Sequence, residues 1–173
     1  VSAPHGRRSG SPLSQATADL LSSSIAVDPL GRFLYVTNRF GGTVTAIAID
    51  SITGDLVKVE PDVPAGVAPS SIALDPSGRF AFVTDATSDS VTSFSIDPVT
   101  GKLFAPSIPS LTGDGPLGVA VDPSGSFAYV VNQLSNDVTT FILDPTTGRL
   151  LQLGFSNQVG SLPASCTILS TIE

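Results

Sequence analysis

The pattern of hydrophobic and polar residues repeats along the chain every 47 residues, with no insertion or deletion between units. Asp28, Asp75 and Asp122 mark the same point of three successive units. Apolar residues stand at matching positions before and after each of these aspartates. A fixed period of this length indicates stacked supersecondary units, because one unit alone cannot bury its apolar faces.

Each unit predicts four short strands. The first is expected at Ser24–Val27, Ser71–Leu74 and Gly118–Val121, the second at Phe33–Thr37, Phe80–Thr84 and Phe127–Val131, the third at Val44–Ile49, Val91–Ile96 and Val138–Leu143, and the fourth at Leu56–Val59, Leu103–Ala105 and Leu150–Leu153. The second strand is apolar on both sides, which is typical of a strand covered on both faces. The third alternates, with Val44, Ala46 and Ala48 on one face. The fourth carries Pro and Lys, which is typical of an exposed edge.

Two turn motifs join these strands. Asp-Pro-x-Gly, as in Asp28–Gly31, follows each first strand and suits a type I turn, because Asp accepts backbone N–H groups and Pro presets φ. Asp-x-x-Thr-Gly, as in Asp50–Gly54, follows each third strand. We therefore interpret six aspartates as turn residues rather than ligands: Asp28, Asp50, Asp75, Asp97, Asp122 and Asp144.

Four strands in a unit of this length are typical of a β-propeller blade. We predict an all-β fold of three four-stranded antiparallel blades, at 23–65, 66–112 and 113–159. Residues 1–22 are expected to form an extended tail with a possible outer-strand segment, and 160–173 the lone closing strand of a further blade. Three blades fill less than half of a seven-bladed ring. The ring is therefore incomplete, and both end faces are expected to be apolar and open.

Composition and charge argue against several classes of function. A net charge of −7 and a pI near 4.4 argue against nucleic acid as a partner, because that binding needs clustered Lys and Arg. No apolar run approaches the roughly 20 residues that span a bilayer. The single cysteine, Cys166, excludes an internal disulfide and is expected to be a buried, inert thiol on an apolar strand. The absence of Met indicates a processed or partial chain, and the sparse charge favours an exported protein, extracellular or periplasmic.

Three polar residues recur at the end of the second strand, namely Asn38, Asp85 and Asn132. They are expected to form an arc on one rim, as ligands of a metal or substrate or, as the pattern favours, as acceptors of backbone N–H groups in the next loop. Gly113–Gly118 matches a dinucleotide fingerprint, but a strand follows it instead of a helix. His5, the only histidine, lies in the tail. We therefore predict no catalytic residue, cofactor or metal.

The units resemble the YVTN/lactonase-type, 6-phosphogluconolactonase-like family of seven-bladed propellers. Tyr35–Asn38 is the family tetrapeptide itself, and the resemblance covers about residues 20–169. It implies that the chain corresponds to the C-terminal three blades and the closing strand. It also implies a Glu after the second strand and a His before a first strand, both directed at the central channel. Arg39, Ala86 and Gln133 stand at the Glu positions, and no His precedes a first strand.

Two functions remain open. The preferred hypothesis is a non-catalytic exported scaffold that joins other copies of itself, or missing blades of the same protein, through open blade faces and exchanged strands. Such contacts would give a homo-oligomer or a filament. The alternative is the C-terminal part of a lactonase-type hydrolase. Its catalytic residues would then lie outside this chain, because acid–base catalysis needs titratable groups at the site.

Overall fold

The computed structural model describes residues 22–104 and 108–167. All regular secondary structure within these two stretches is β-strand, in three antiparallel sheets that do not close into a ring. The predicted all-β fold class is therefore confirmed. No helix in the described part of the chain is long and apolar enough to cross a membrane.

The strands of each sheet follow one another in chain order. Blade 1 contains β1 (Ser22–Val27), β2 (Phe33–Asn38), β3 (Thr43–Ile49) and β4 (Leu56–Pro64). Blade 2 contains β5 (Pro69–Leu74), β6 (Phe80–Asp85), β7 (Ser90–Ile96), β8 (Leu103–Phe104) and β9 (Ser110–Leu111). Blade 3 contains β10 (Pro116–Val121), β11 (Phe127–Asn132), β12 (Asp137–Leu143), β13 (Leu150–Gln152) and β14 (Asn157–Gln158).

The outer strand is continuous in blade 1, whereas the described residues of blades 2 and 3 each contain two short outer strands. Strands β8 and β9 both pair with β7, and β13 and β14 both pair with β12. The described part of the predicted strand Leu103–Ala105, namely Leu103–Phe104, is a strand, and Ala105 lies outside the described residues. A second outer strand begins at Ser110.

The predicted turns are present. Gly31 N donates to the carbonyl of Asp28 at 2.8 Å, and Gly31 adopts φ +68°. The Asp28 carboxylate accepts from Arg32 N and Phe33 N. Burial alone would raise the pKa of Asp28, but these hydrogen bonds and the Arg32 guanidinium outweigh it and hold the pKa below its ordinary value. The aspartates of the other motif (Asp50, Asp97 and Asp144) likewise accept backbone N–H groups, which lower their pKa.

The core lies between the sheets. One cluster joins blades 1 and 2 around Tyr35 and Phe94, and a second joins blades 2 and 3 around Phe82 and Phe141. Every residue of β6 is buried, because blade 2 is covered on both sides. Blade 1 has no described neighbour on its other side, where Ile25 is 61% exposed. Among the described residues, this face of blade 1 is apolar and uncovered.

The segment predicted as a closing strand differs from expectation. Its described part, residues 160–167, forms no strand, although the backbone of Ser165 and Cys166 lies beside Gly118 of β10. A Cβ on Gly118 would stand 3.1 Å from Cys166 N, so this backbone occupies the place of a next first strand. Cys166 is half-buried, and burial raises the pKa of its thiol, which fits an unreactive cysteine. The rest of that prediction, and those for residues 1–21, lie outside the described residues.

Tyr35 carries a buried hydroxyl that meets no partner in the described part of the chain. Phe82 stands at the same point of blade 2 without that group. We expect Tyr35→Phe to raise the free energy of unfolding in urea by about 1–2 kcal/mol, because an unpaired buried hydroxyl costs about that much. The control Tyr129→Phe, at a half-buried tyrosine, should change it by less than about 0.5 kcal/mol.

Alkaline pH gives a second readout of the same variant. Burial, and then the charge of Asp28, raise the pKa of Tyr35 above its ordinary value. The unfolded chain therefore loses the Tyr35 proton first, and the native protein loses stability as the pH rises above about 10. Tyr35→Phe should lose less over that range. A Tyr35→Phe variant that is less stable than the native protein at pH 7 would contradict the inference that the buried Tyr35 hydroxyl has no hydrogen-bond partner.

Candidate functional site at the second-strand rim

The three polar candidates lie at one rim, each opposite the start of a first strand. Register pairs Asn38 with Ser22, and places the other two candidates opposite Pro69 and Pro116. The first strands β1, β5 and β10 lie side by side across the three blades. The candidates therefore recur along the inner side of this rim, which we call the second-strand rim, as the sequence predicted. They are also buried, with 4%, 1% and 0% of Asn38, Asp85 and Asn132 exposed.

Asp85 is tied to backbone on both sides. Its carboxylate accepts N–H groups from two loops, from Val67 (2.5 Å), Ala68 (3.3 Å), Thr87 (3.0 Å) and Ser88 (3.2 Å). Burial alone would raise the pKa of Asp85, but these bonds outweigh it and lower the pKa. The carboxylate thus joins the loop that enters blade 2 to the loop that follows β6. It has the backbone-accepting role that the sequence favoured.

Asn38 and Asn132 have a different role from the one expected. Asn38 Nδ2 donates to the hydroxyls of Thr43 and Thr45, at 3.0 and 2.8 Å. Asn132 Nδ2 donates to Asp137 Oδ1 at 2.6 Å, and to Thr139 Oγ1 at 2.8 Å. An amide has donors that a carboxylate lacks, so it turns to side-chain acceptors on the third strand instead of to backbone N–H groups.

A buried polar cluster surrounds Asn132. Ser135 Oγ donates to Asp137 Oδ1 at 3.0 Å, and Gly113 N donates to the Thr139 hydroxyl at 3.2 Å. A Cβ on Gly113 would stand 2.5 Å from Ser135 Oγ, so only glycine fits. Gly113 is the first glycine of the dinucleotide-like motif, and the close packing of this cluster explains why a glycine stands there. Among the described residues no donor reaches Asn132 Oδ1.

Sequence reasoning missed Asp114, an exposed carboxylate on the same rim. Its backbone is fixed: its N donates to Ser135 Oγ at 3.0 Å, and its carbonyl accepts from Leu134 N at 3.1 Å. It stands two residues before β10, close to where the family resemblance implies a histidine. The family resemblance implies Glu and His and does not point to this aspartate; an acidic residue just before a first strand is the signal that the sequence offers.

The residues that follow the three candidates differ in exposure and chemistry. Arg39 is exposed and Gln133 is half-buried, whereas Ala86 has no polar group. Arginine stays protonated and glutamine does not titrate, so both can bind a polar ligand but cannot accept a proton from it. Among residues 22–104 and 108–167, no group of three or more His, Cys, Asp and Glu side chains is placed to hold a metal ion.

The role of Asp85 is tested by Asp85→Asn. We expect this variant to lower the free energy of unfolding at pH 7 by about 2 kcal/mol, because hydrogen bonds to a charged acceptor are lost. The folded pKa of Asp85 lies below the unfolded value, so its contribution is present above pH 4 and is lost as the pH falls through the folded pKa.

Urea unfolding at pH 7 and pH 3 checks both statements. The difference between native protein and Asp85→Asn should narrow at the lower pH. Asp97→Asn is the control, because Asp97 accepts two N–H groups in an exposed turn and should matter less. Equal losses at Asp85 and Asp97 would show that burial of the Asp85 carboxylate contributes nothing.

Comparison with known proteins shows which family the chain belongs to. The model of the family described as "Lactonase, 7-bladed beta-propeller" matches residues 9–106 and 105–165. No curated protein matches the chain. Among solved structures, a proposed 6-phosphogluconolactonase of Bacteroides fragilis is 26% identical, with a TM-score of 0.76, and the match covers 82% of this chain and 40% of that one.

Two further structures match at similar coverage. The periplasmic gluconolactonase of Pseudomonas aeruginosa is 27% identical, with a TM-score of 0.72 over 81% of this chain and 40% of that one. A proposed 6-phosphogluconolactonase of Bacteroides uniformis, 22% identical with a TM-score of 0.74 over 80% of this chain and 40% of that one, supports the fold alone. The chain thus spans 40% of the length of each of these proteins. With a model match over most of its length, the chain belongs to the lactonase family of seven-bladed β-propellers.

Proposed function

We propose that this chain is part of a propeller that hydrolyses lactones of sugar acids, with the second-strand rim at the substrate. The observation that carries the proposal is the lactonase match across all three blades. Two relatives above 25% identity are a proposed 6-phosphogluconolactonase and a gluconolactonase, which supports the substrate class. The same proposal places the remaining blades of the ring, and the remaining catalytic groups, outside this chain. The periplasmic location of the Pseudomonas relative supports an exported protein.

The reaction defines what the rim must supply. A base takes a proton from water while the water oxygen bonds to the lactone carbonyl carbon, and a donor stabilises the resulting oxyanion. The ring C–O bond then breaks, and its oxygen takes up a proton to give the open acid. Asp114 is this chain's candidate base, because its carboxylate is exposed on a fixed backbone. Arg39 is its candidate for binding substrate oxygens.

A non-catalytic scaffold is the second candidate. The observation that favours it is the substitution at the Glu positions implied by the family, where Arg39, Ala86 and Gln133 stand. The buried candidates Asn38 and Asp85 add to it, since their polar groups are engaged within the fold. The two candidates differ in one measurable property, the hydrolysis of a lactone.

A pH-stat assay of the full-length protein on glucono-1,5-lactone and its 6-phosphate tests the proposal. We expect hydrolysis well above the spontaneous rate. Asp114→Asn should lower kcat by about 100-fold or more, the usual contribution of a general base. Asp97→Asn, at a half-buried aspartate in a turn on the opposite rim, should leave kcat unchanged.

The possible outcomes separate the role of Asp114 from the function itself. A full-length protein that hydrolyses neither lactone would contradict the enzyme and favour the scaffold. Hydrolysis that survives Asp114→Asn would keep the proposed function and remove Asp114 from it. Near-native melting temperatures of both variants are required for either conclusion.

A further inference from the structure

A cavity of about 230 Å³ lies between the outer parts of blades 2 and 3. The described residues that line it are Ser93, Ile108, Ser110, Arg149 and Leu150. Ser93 lies on β7 and Ser110 on β9 of blade 2, whereas Leu150 begins β13 of blade 3. The cavity is thus formed by two blades together, and none of these five residues belongs to the second-strand rim.

The junction between blades 1 and 2 closes the same place with apolar side chains. The residues that stand 47 positions earlier are Ala46, Pro61, Val63, Lys102 and Leu103. Ala46 and Leu103 are each 4% exposed, and Val63 packs against the core cluster that contains both. An apolar contact therefore fills the place that is open between blades 2 and 3.

Two serines distinguish the second junction from the first at this place. Ser93 replaces Ala46, and Ser110 replaces Val63. The second replacement removes two methyl groups, and each replacement adds a hydroxyl. Leu150 is only half-buried, although it packs against the core cluster of blades 2 and 3. The cavity therefore coincides with a local change of side chains and not with a general separation of the two blades, since the core of this junction is otherwise buried.

Both serine hydroxyls of the cavity have hydrogen-bonding capacity left for a ligand. Ser93 is buried, and its hydroxyl has no hydrogen-bond partner within residues 22–104 and 108–167. Ser110 Oγ donates to the carbonyl of Leu150 at 3.2 Å. The hydrogen of the Ser110 hydroxyl is therefore engaged, while its lone pairs can still accept a hydrogen bond.

Arg149 brings a positive charge to the cavity. Its side chain is exposed, and its guanidinium forms no ion pair with a described carboxylate. Asp144 stands near it, because the Thr146 N–H first, and the Arg149 charge last, lower the pKa of Asp144. Without an ion pair inside the described part of the chain, the five N–H donors of the guanidinium are open to a ligand.

These groups define the class of ligand. A guanidinium binds a carboxylate through two parallel N–H···O bonds. The acceptor on Ser110 suits a hydroxyl group of the ligand, and the Ser93 hydroxyl can either donate or accept. Ile108 and Leu150 offer apolar contact to a short carbon chain. The cavity volume lies below the roughly 300–1,000 Å³ that is typical of sites for drug-sized ligands, so the ligand is small.

We propose that the cavity between blades 2 and 3 binds a small organic hydroxy acid. Arg149 holds the carboxylate of this ligand, and Ser93 and Ser110 bond its hydroxyl group. The site depends on no catalytic role at the second-strand rim. It therefore stands or falls separately from the proposed hydrolysis of lactones.

Three probes with the same four-carbon chain test the ligand class, namely 2-hydroxybutyrate, butyrate and 1,2-butanediol. NMR titrations of the full-length protein at pH 7 and constant ionic strength give their dissociation constants. We expect 2-hydroxybutyrate to bind at least about threefold more tightly than butyrate, because butyrate lacks the hydroxyl that makes a neutral hydrogen bond. Its advantage over the diol, which lacks the charge, should reach about tenfold or more.

Arg149→Gln and Lys102→Gln form a matched pair of variants. Both remove one exposed positive charge at the same point of the repeat, but only Arg149 lines this cavity. Arg149→Gln should weaken the binding of 2-hydroxybutyrate about tenfold, whereas Lys102→Gln should leave it unchanged. Ser93→Ala combined with Ser110→Val gives the cavity the residues of the first junction, and should abolish the preference for 2-hydroxybutyrate over butyrate.

Three results would overturn the proposal. A titration with 2-hydroxybutyrate that shows no saturable binding would exclude a site for this class of ligand. Equal weakening by Arg149→Gln and Lys102→Gln would assign the effect to the net charge of the protein. Equal affinity for 2-hydroxybutyrate and butyrate would show that the serine hydroxyls recognise nothing. Each comparison uses variants whose melting temperatures are near that of the native protein.

Discussion

Each sheet of this protein is apolar on both faces, and only a neighbouring sheet on each side can bury both. Blade 2 satisfies this condition, so all six residues of β6 are buried. Phe82 and Phe94 are fully buried on its two sides, and burying one such side chain contributes about 1.5–3 kcal/mol. A single blade would leave both of these faces in water. The stability of any one blade is therefore a property of its neighbours.

The apolar contact is fixed in register by polar bonds at both ends of the junction. Serine hydroxyls bond the next blade at one rim, and an arginine bonds it at the other. A flat apolar interface alone would allow one sheet to slide over the next. The repeated bonds, together with a phenylalanine that fits only over glycine, remove that freedom. The buried Asp85 and the amides of Asn38 and Asn132 then order the loops between strands.

Local patterns made the strands and turns predictable from the sequence. Phe80–Thr84 reads as a strand covered on both faces, and Asp75-Pro-Ser-Gly78 closes a turn with its own residues. The junction bonds were not predictable in this way, because Ser23 and Pro69 are partners only once two sheets have stacked. The hydrogen bonds that Asn38 donates were not predictable for a similar reason, since the hydroxyls that accept them lie on the third strand. Asp114 was missed because its exposure depends on how the loop before β10 is held.

The candidate catalytic chemistry depends on the same junctions. The loop that carries Asp114 is held from blade 2, where Asp89 Oδ1 accepts from Gly115 N at 2.8 Å and the Asp89 carbonyl accepts from Thr112 N at 2.9 Å. Asp89 itself has φ +47°, in the left-handed region that Asp adopts more readily than most residues. The position of Asp114 is thus set by the stacking of two blades, not by blade 3 alone. In the proposed lactonase, the stacking of blades 2 and 3 would therefore position the candidate base, and blade stacking would be a condition of that function as well as of stability.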